Sequence, residues 1–302
     1  MKKMVIAAGT GFLGNVLIDF FKESYQEIIV LTRSKSEHKS NIQFVHWNAK
    51  TLTGWEKVLE NADVLINLAG KSVDCRYTPE NKAAILSSRI DSTKVLNEAV
   101  LKCKNPPKHF INSSTATIYR HSEDRQMDEY SGEIGDDFSM NVAKSWEMAF
   151  YDVQTDKTLK TAVRTSIVLG KSGGAFIPLK RLTQLGFGGK NGNGNQFVSW
   201  IHELDFARAI DFIISNRITG SINVVSPKPE RNLDFMRKLR QAVRVPFGIP
   251  VSKTMLKIGA KIIQTEPELV LKSRNVIPKR LTENGFTFEY HDLEKAFKNL
   301  LS

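Results

Sequence analysis

The chain has 302 residues, 41% of them apolar and 25% charged, the balance of a globular protein with room for one large domain or two unequal ones. No apolar run approaches the roughly 18 residues a membrane-spanning helix needs, and two cysteines, Cys75 and Cys103, make no disulfide framework and fit a reducing cytosol. The formal charge of +11 is uneven: residues 1–150 hold 19 Lys and Arg against 19 Asp and Glu, so the whole excess lies in residues 151–302. Those basic residues are scattered, without a dense tract or a nucleic-acid-binding motif. The excess reads as solvated helix faces or as attraction for an anionic small molecule, the expected partner being a small-molecule substrate in preference to nucleic acid or membrane, and no metal is expected. Met1-Lys2-Lys3 precedes only a short apolar run before glycine interrupts it, which predicts a strand rather than a leader and a cytoplasmic location.

In chain order, Met4-Val5-Ile6-Ala7-Ala8 predicts a buried strand, followed by the glycine turn Gly9-Thr10-Gly11-Phe12-Leu13-Gly14. Phe12, Leu13, Val16, Leu17, Phe20 and Phe21 then recur as the apolar face of a helix. A bare GxGxxG recurs by chance in loops, but between a strand and a helix it is the dinucleotide fingerprint. Gly9 permits the tight turn, Gly11 lets backbone amides approach a pyrophosphate, and Gly14 lets the helix pack closely on the strand. The helix N-terminus adds partial positive charge.

Further strands are predicted over 27–32, 42–47, 63–68, 109–113 and 161–169, and helices over 79–102 and 138–151. This alternation predicts an α/β fold, a Rossmann-type doubly wound parallel sheet binding ligands at its strand carboxyl ends, over residues 1–170. A smaller α/β substrate lobe is expected over 171–302. It opens with the glycine- and asparagine-rich stretch 186–195, then helices near 204–216, 233–243 and 253–264, a strand near 222–225 that could join the main sheet, and a last helix from Asp292.

Several strand-end segments carry a resemblance: the fingerprint, Asn67-Leu68-Ala69-Gly70, and Ser113-Ser114-Thr115-Ala116-Thr117-Ile118-Tyr119. So do Ser88-Arg89-Ile90-Asp91-Ser92-Thr93, Ser145-Trp146-Glu147, the stretch from Ser199 to Asp205, and the tail Val276-Ile277-Pro278-Lys279-Arg280-Leu281 with Gly285-Phe286. Together they resemble the atypical, nucleoside-diphosphate sugar epimerase-like branch of the extended short-chain dehydrogenase/reductases, including its own C-terminal segment. The resemblance covers essentially the whole chain and implies a nicotinamide cofactor across the strand ends. It places Leu68, Ala69, Gly70, Ser113 and Ser114 along the cofactor and Asn48 near the adenine.

An NAD site usually places Asp or Glu just after the second strand, to accept from the ribose hydroxyls. Here that turn reads Thr32-Arg33-Ser34-Lys35, groups that bind a 2′-phosphate instead, so NADP(H) is expected, held by Arg33 and Ser34. Catalysis in the resembling family uses Ser or Thr at the fifth strand's end and a Tyr-x-x-x-Lys pair on the next helix. Thr115 matches the first. No tyrosine here has Lys four residues later, and counting back from Glu147 puts Ser139 at the Tyr position and Ala143 at the Lys position. Tyr119 and Lys144 are the candidate replacements, and Arg76, Arg89, Trp200 and His202 the candidate substrate contacts, with Asp205 set to cap or orient a helix. The expected activity is an NADP(H)-dependent, epimerase-like oxidoreductase for a small hydroxyl or carbonyl compound. The alternative is a non-catalytic NADP(H)-binding sensor.

Overall fold

The structure, a computed structural model, describes residues 2–34, 37–256 and 266–302. Lys35 and most of the helix expected over 253–264 lie outside the described residues. The strands that shape the fold are β1 (Lys3–Ala7), β2 (Glu27–Thr32), β3 (Glu37–Lys39), β4 (Ile42–His46), β5 (Val64–Asn67), β6 (His109–Thr115), β7 (Leu159–Thr165), β8 (Ile167–Leu169), β9 (Phe197–Val198), β10 (Trp200–His202), β11 (Gly220–Val224) and β12 (Glu230–Arg231).

Eight of them form one sheet in the order β11-β7-β6-β5-β1-β2-β4-β3, parallel throughout except for the antiparallel edge strand β3. From β1 the chain builds outward to β2 and β4, then returns to place β5 on the other side of β1 and builds away through β6, β7 and β11. Such a reversal opens a crevice between the carboxyl ends of β1 and β5, where ligands bind in open α/β sheets.

The strands are apolar on both faces because helices cover both. Met4, Ile6, Ile28 and Val30 point into a core with Leu17, Ile18 and Phe21 of helix α1 (Phe12–Phe21). Their neighbours Val5, Ala7, Ile29 and Leu31 point the other way, against Val95, Leu96, Ala99 and Val100 of α2 (Pro79–Lys102) and Phe150 of α3 (Phe138–Tyr151). Pro79 opens α2 with Thr78 as its cap, and Asp137 caps α3.

Two elements beyond residue 170 return to these layers. Helix α5 (Glu203–Ser215) buries Phe206, Ile210 and Ile213 in the core of α1, and β11 pairs in register with β7. A separate core joins Phe176 of α4 (Phe176–Leu182), Trp200, Phe235, Met236 and Leu239 of α6 (Asn232–Ala242), and Leu293, Phe297 and Leu300 of the last helix, α7 (Leu293–Leu301).

The single strand expected over 161–169 is divided. The chain leaves the main sheet after Thr165, and β8 pairs instead with β10 in a small parallel sheet. The polar stretch Arg164-Thr165-Ser166 sits at the break, and the partner that draws β8 away, Trp200–His202, lies over thirty residues further on.

Candidate functional site

The fingerprint closes on itself through backbone contacts. A Cβ at Gly14 would lie 2.1 Å from the carbonyl oxygen of Gly9, whereas one at Gly11 would meet nothing within 4 Å. Gly11 is the cap residue of α1 and no side chain hydrogen-bonds there, unlike α2, α3 and α5, which Thr78, Asp137 and His202 cap. The first-turn amides of α1 thus keep their hydrogen-bonding capacity at the positive end of the helix, beside an open surface suited to a pyrophosphate. Thr10 is exposed beside them, Leu13 is half-buried in the α1 core, and the Phe12 ring is taken up in packing. Glycines 170, 173 and 174, after β8, lie so close to that ring that a Cβ on any of them would come within 2.3–2.8 Å of it.

Arg33 and Ser34 leave the carboxyl end of β2, next to β1, and both are exposed. Ser34 N–H donates to Thr32 Oγ1 at 3.2 Å, which turns the chain there. Asn48, expected near the adenine, is exposed. Its Oδ1 accepts from the amides of Lys50 (2.9 Å) and Thr51 (3.0 Å) and its Nδ2 donates to Thr51 Oγ1 (2.7 Å), which shapes the turn after β4.

On the other side of β1, Leu68, Ala69 and Gly70 leave β5 under tight control. Asn67 Oδ1 accepts from Ala69 N–H at 3.0 Å, and Asn67 Nδ2 donates to Asn112 Oδ1 at 2.7 Å. Thr93 joins them, and Trp146 Nε1 donates to Thr93 Oγ1 at 3.0 Å. Segments far apart in sequence, around 67, 93, 112 and 146, are one buried brace behind the crevice. Arg89 completes it. Its guanidinium stands 5.0 Å over the Trp146 ring, donates to the carbonyls of Lys71 and Ile85, and lies against Gly70; burial draws its pKa down to about 10.

At the end of β6, Ser113 is half-buried, and Ser114 Oγ donates to Glu147 Oε1 at 2.5 Å. Glu147 also holds Arg164 through two bonds, 2.8 and 2.7 Å, and accepts from Ser221 at 3.1 Å. Thr115 is half-buried, and its Oγ1 accepts from Thr117 N–H at 3.1 Å.

Four expected site residues are structural instead. Tyr119 is 1% exposed, its hydroxyl donating to Asn223 Oδ1 (3.0 Å) and accepting from Arg164 Nη1 (2.8 Å); burial raises its pKa, and it faces no crevice. Lys144 points off the Ala143 face and pairs with Asp136 at 2.5 Å. Trp200 is fully buried in the second core, its Nε1 donating to the Lys228 carbonyl. His202 is 2% exposed and caps α5: Nδ1 accepts from Leu204 N–H, and Nε2 pairs with Asn299 Oδ1. Burial pushes its pKa down to about 4, so it is neutral near pH 7. Asp205 is fully buried, accepting from the amides of Glu289 and Tyr290 and pairing with Arg208.

Ala143 is fully buried among Ala116, Ile118, Val225 and Val276. Ser139, one helical turn earlier, is half-buried and faces a strap formed by residues 266–277. Ser139 Oγ donates to Glu268, and Lys272 pairs with Asp137 and with Glu268, the latter at 2.9 Å. The strap also reaches the loop after β5. Glu266 pairs with Arg76 at 3.2 Å and accepts from the Tyr77 amide at 2.7 Å, while the Tyr77 ring packs edge-on to Phe138. Ser273 N–H donates to His121 Nδ1, and Arg274 N–H to the Phe197 carbonyl. Arg274 Nη1 is buried with no hydrogen-bond partner among the described residues. Sequence reasoning missed this cluster. Its charges read as scattered because their partners lie over a hundred residues away.

The chain matches the family model "NAD dependent epimerase/dehydratase family" over residues 4–145 and a domain of unknown function, DUF1731, over 251–300, which contains the strap. An epimerase family protein of Staphylococcus aureus strain MRSA252 is 33% identical over 305 residues, with 100% of both chains covered. The chain belongs to this epimerase family. A second relative, the epimerase family protein YfhF of Bacillus subtilis strain 168, is 31% identical, covering 99% of this chain and 98% of that one. Among solved structures, the human epimerase family protein SDR39U1 (isoform 2) with NADPH superposes with a TM-score of 0.87 at 26% identity, covering 99% of this chain and 98% of that one. A nucleoside-diphosphate sugar epimerase from Corynebacterium glutamicum gives 0.79 at 29% identity, covering 99% of this chain and 58% of that one. The epimerase family assignment and the Rossmann-like fold expected from the sequence therefore hold. No helix among the described residues is long and apolar enough to cross a membrane.

Proposed function

We propose that this epimerase family chain is a cytoplasmic, NADP(H)-dependent oxidoreductase for a small, anionic carbonyl or hydroxyl compound, working without the family's Tyr-x-x-x-Lys pair. The observation that carries the cofactor choice is the end of β2, where Arg33 and Ser34 stand exposed beside the uncapped first turn of α1. NADPH in the human relative supports the same reading. The backbone of Gly9–Gly14 would hold the pyrophosphate, Arg33 and Ser34 the 2′-phosphate, and residues 68–70 with Ser113 the flank of the crevice. The cofactor, when bound, supplies or accepts hydride. Thr115, at the end of β6, orients the substrate oxygen, while Arg76, paired with Glu266, and Arg89, held in the brace, flank the region beyond β5.

Incubation with NADPH and a panel of aldehydes and ketones, some carrying carboxylate or phosphate, tests the reading by loss of the nicotinamide absorbance. Turnover is expected with at least one anionic member, and Thr115→Ala should lower it at least about tenfold. The buried slot at Ala143 favours the alternative, an NADP(H)-responsive regulatory protein. Tight NADPH binding with no turnover across the panel would select it.

A further inference from the structure

The vacated tyrosine position is not empty of phenol chemistry. We propose that Tyr77, on the loop after β5, is the catalytic acid of this chain, with Arg274 as its positioning residue. The proposal rests on the oxidoreductase reading above and names the proton donor that reading lacks.

All six tyrosines are described, and five are elsewhere or committed. Tyr25 and Tyr151 lie at the amino-terminal end of the sheet, the latter accepting from the Ala162 amide. Tyr119 is buried in the Arg164–Asn223 network, Tyr130 is 62% exposed with its hydroxyl on Glu283, and Tyr290 stacks on His202. Tyr77 is half-exposed, and its ring packs edge-on at 4.9 Å to Phe138, the residue next to Ser139 at the family's tyrosine position. A phenol on a different loop thus comes next to the place where the family's own phenol would stand.

The charges around it are mixed. Arg89 acts from α2; Arg76 and Cys75 stand on its own loop; Glu266, Glu268 and Arg274 face it from the strap. Arg274 is the distinctive member, because its buried Nη1 has no hydrogen-bond partner among the described residues, and a buried guanidinium N–H calls for an acceptor. A phenolate forming on Tyr77, or the oxygen of a bound substrate, is such an acceptor, and Arg274 then does for Tyr77 what a neighbouring lysine does for a tyrosine in the usual pair. Burial, reinforced by Glu268, Cys75 and Glu266, pushes the Tyr77 pKa up to about 12, so the free protein holds it protonated and ready to donate.

In the reductive direction the Tyr77 O–H bond breaks and its proton joins the carbonyl oxygen, while the carbonyl carbon accepts hydride from the dihydronicotinamide. The carbonyl is reduced to an alcohol and the cofactor oxidised. The phenolate then recovers a proton from water.

The test uses the full chain labelled with 3,5-difluorotyrosine, whose phenol titrates at a pH where proteins stay folded. The Tyr77 fluorine resonance is assigned by its loss in Tyr77→Phe. NADP⁺ is expected to shift that resonance and lower its titration midpoint by about one unit or more through the cationic ring, leaving Tyr25 and Tyr151 unmoved. Arg274→Gln should raise the midpoint. Tyr77→Phe should keep NADPH affinity and cut kcat on the panel by about a hundredfold or more. A Tyr77 resonance and midpoint unchanged by bound NADP⁺ would overturn the proposal, as would wild-type kcat in Tyr77→Phe. A wild type inert across the panel would remove the oxidoreductase reading, while the fluorine titration would still decide whether Tyr77 faces the nicotinamide.

Discussion

Gly14→Ala is expected to cost about 1–3 kcal/mol of stability and to weaken NADPH binding at least a hundredfold. The methyl carbon would stand 2.1 Å from the Gly9 oxygen, 2.4 Å from its carbonyl carbon and 2.5 Å from its Cα. These are backbone atoms of the first turn, so no rotamer change relieves the clash. Helix α1 must move away from β1, taking with it the amides that would meet the pyrophosphate. Gly11→Ala separates packing from binding. Its Cβ meets no protein atom within 4 Å and its φ of −85° suits any residue, so Tm should hold while NADPH affinity falls because the methyl occupies the cofactor's approach. Thermal melts and fluorescence titrations of the two variants check both halves. Wild-type affinity in Gly14→Ala would refute the fingerprint geometry.

Glu147→Gln is the second large effect, with an expected loss of about 3–5 kcal/mol in urea unfolding. Both Glu147 and Arg164 are 11% exposed at the side chain, and the carboxylate meets Arg164, Ser114 and Ser221. Removing its charge leaves a buried guanidinium facing a neutral amide, whose NH2 group repels one of the two N–H donors the carboxylate accepted, and the neutral Tyr119 hydroxyl. The double variant Glu147→Leu with Arg164→Met should lose less than the two single changes together, because neither charge is then stranded. Strictly additive losses would show that the pair does not act as a unit. The same change weakens the hold on Ser114, at the end of the strand that carries Thr115, so this network couples stability to the shape of the crevice.

Much of the cofactor half was legible in the sequence because its determinants are local. A strand, a glycine turn and an apolar helical face lie within the first 21 residues, and α2 and α3 carry their own caps at Thr78 and Asp137. What was not legible depends on distant pairing. The split between β7 and β8 follows from the partnership of 167–169 with 200–202, and β3 is a three-residue exposed edge with little apolar signal. His202 and Trp200 drew attention as chemically able side chains, but burial and the capping of α5 account for both. Tyr77 escaped notice because its packing on Phe138, 61 positions on, exists only in the folded chain. The strap's Glu266, Glu268, Lys272 and Arg274 escaped for the same reason.

The central claim is that the exposed turn after β2 reads the 2′-phosphate of NADP(H). Its most direct measurement is fluorescence titration of the wild-type chain with NADPH and NADH, repeated for Arg33→Asp. The wild type should bind NADPH at least about tenfold more tightly, as expected for one charge-assisted phosphate contact, and Arg33→Asp should abolish or reverse that preference. Equal affinities for the two cofactors in the wild type would contradict the account.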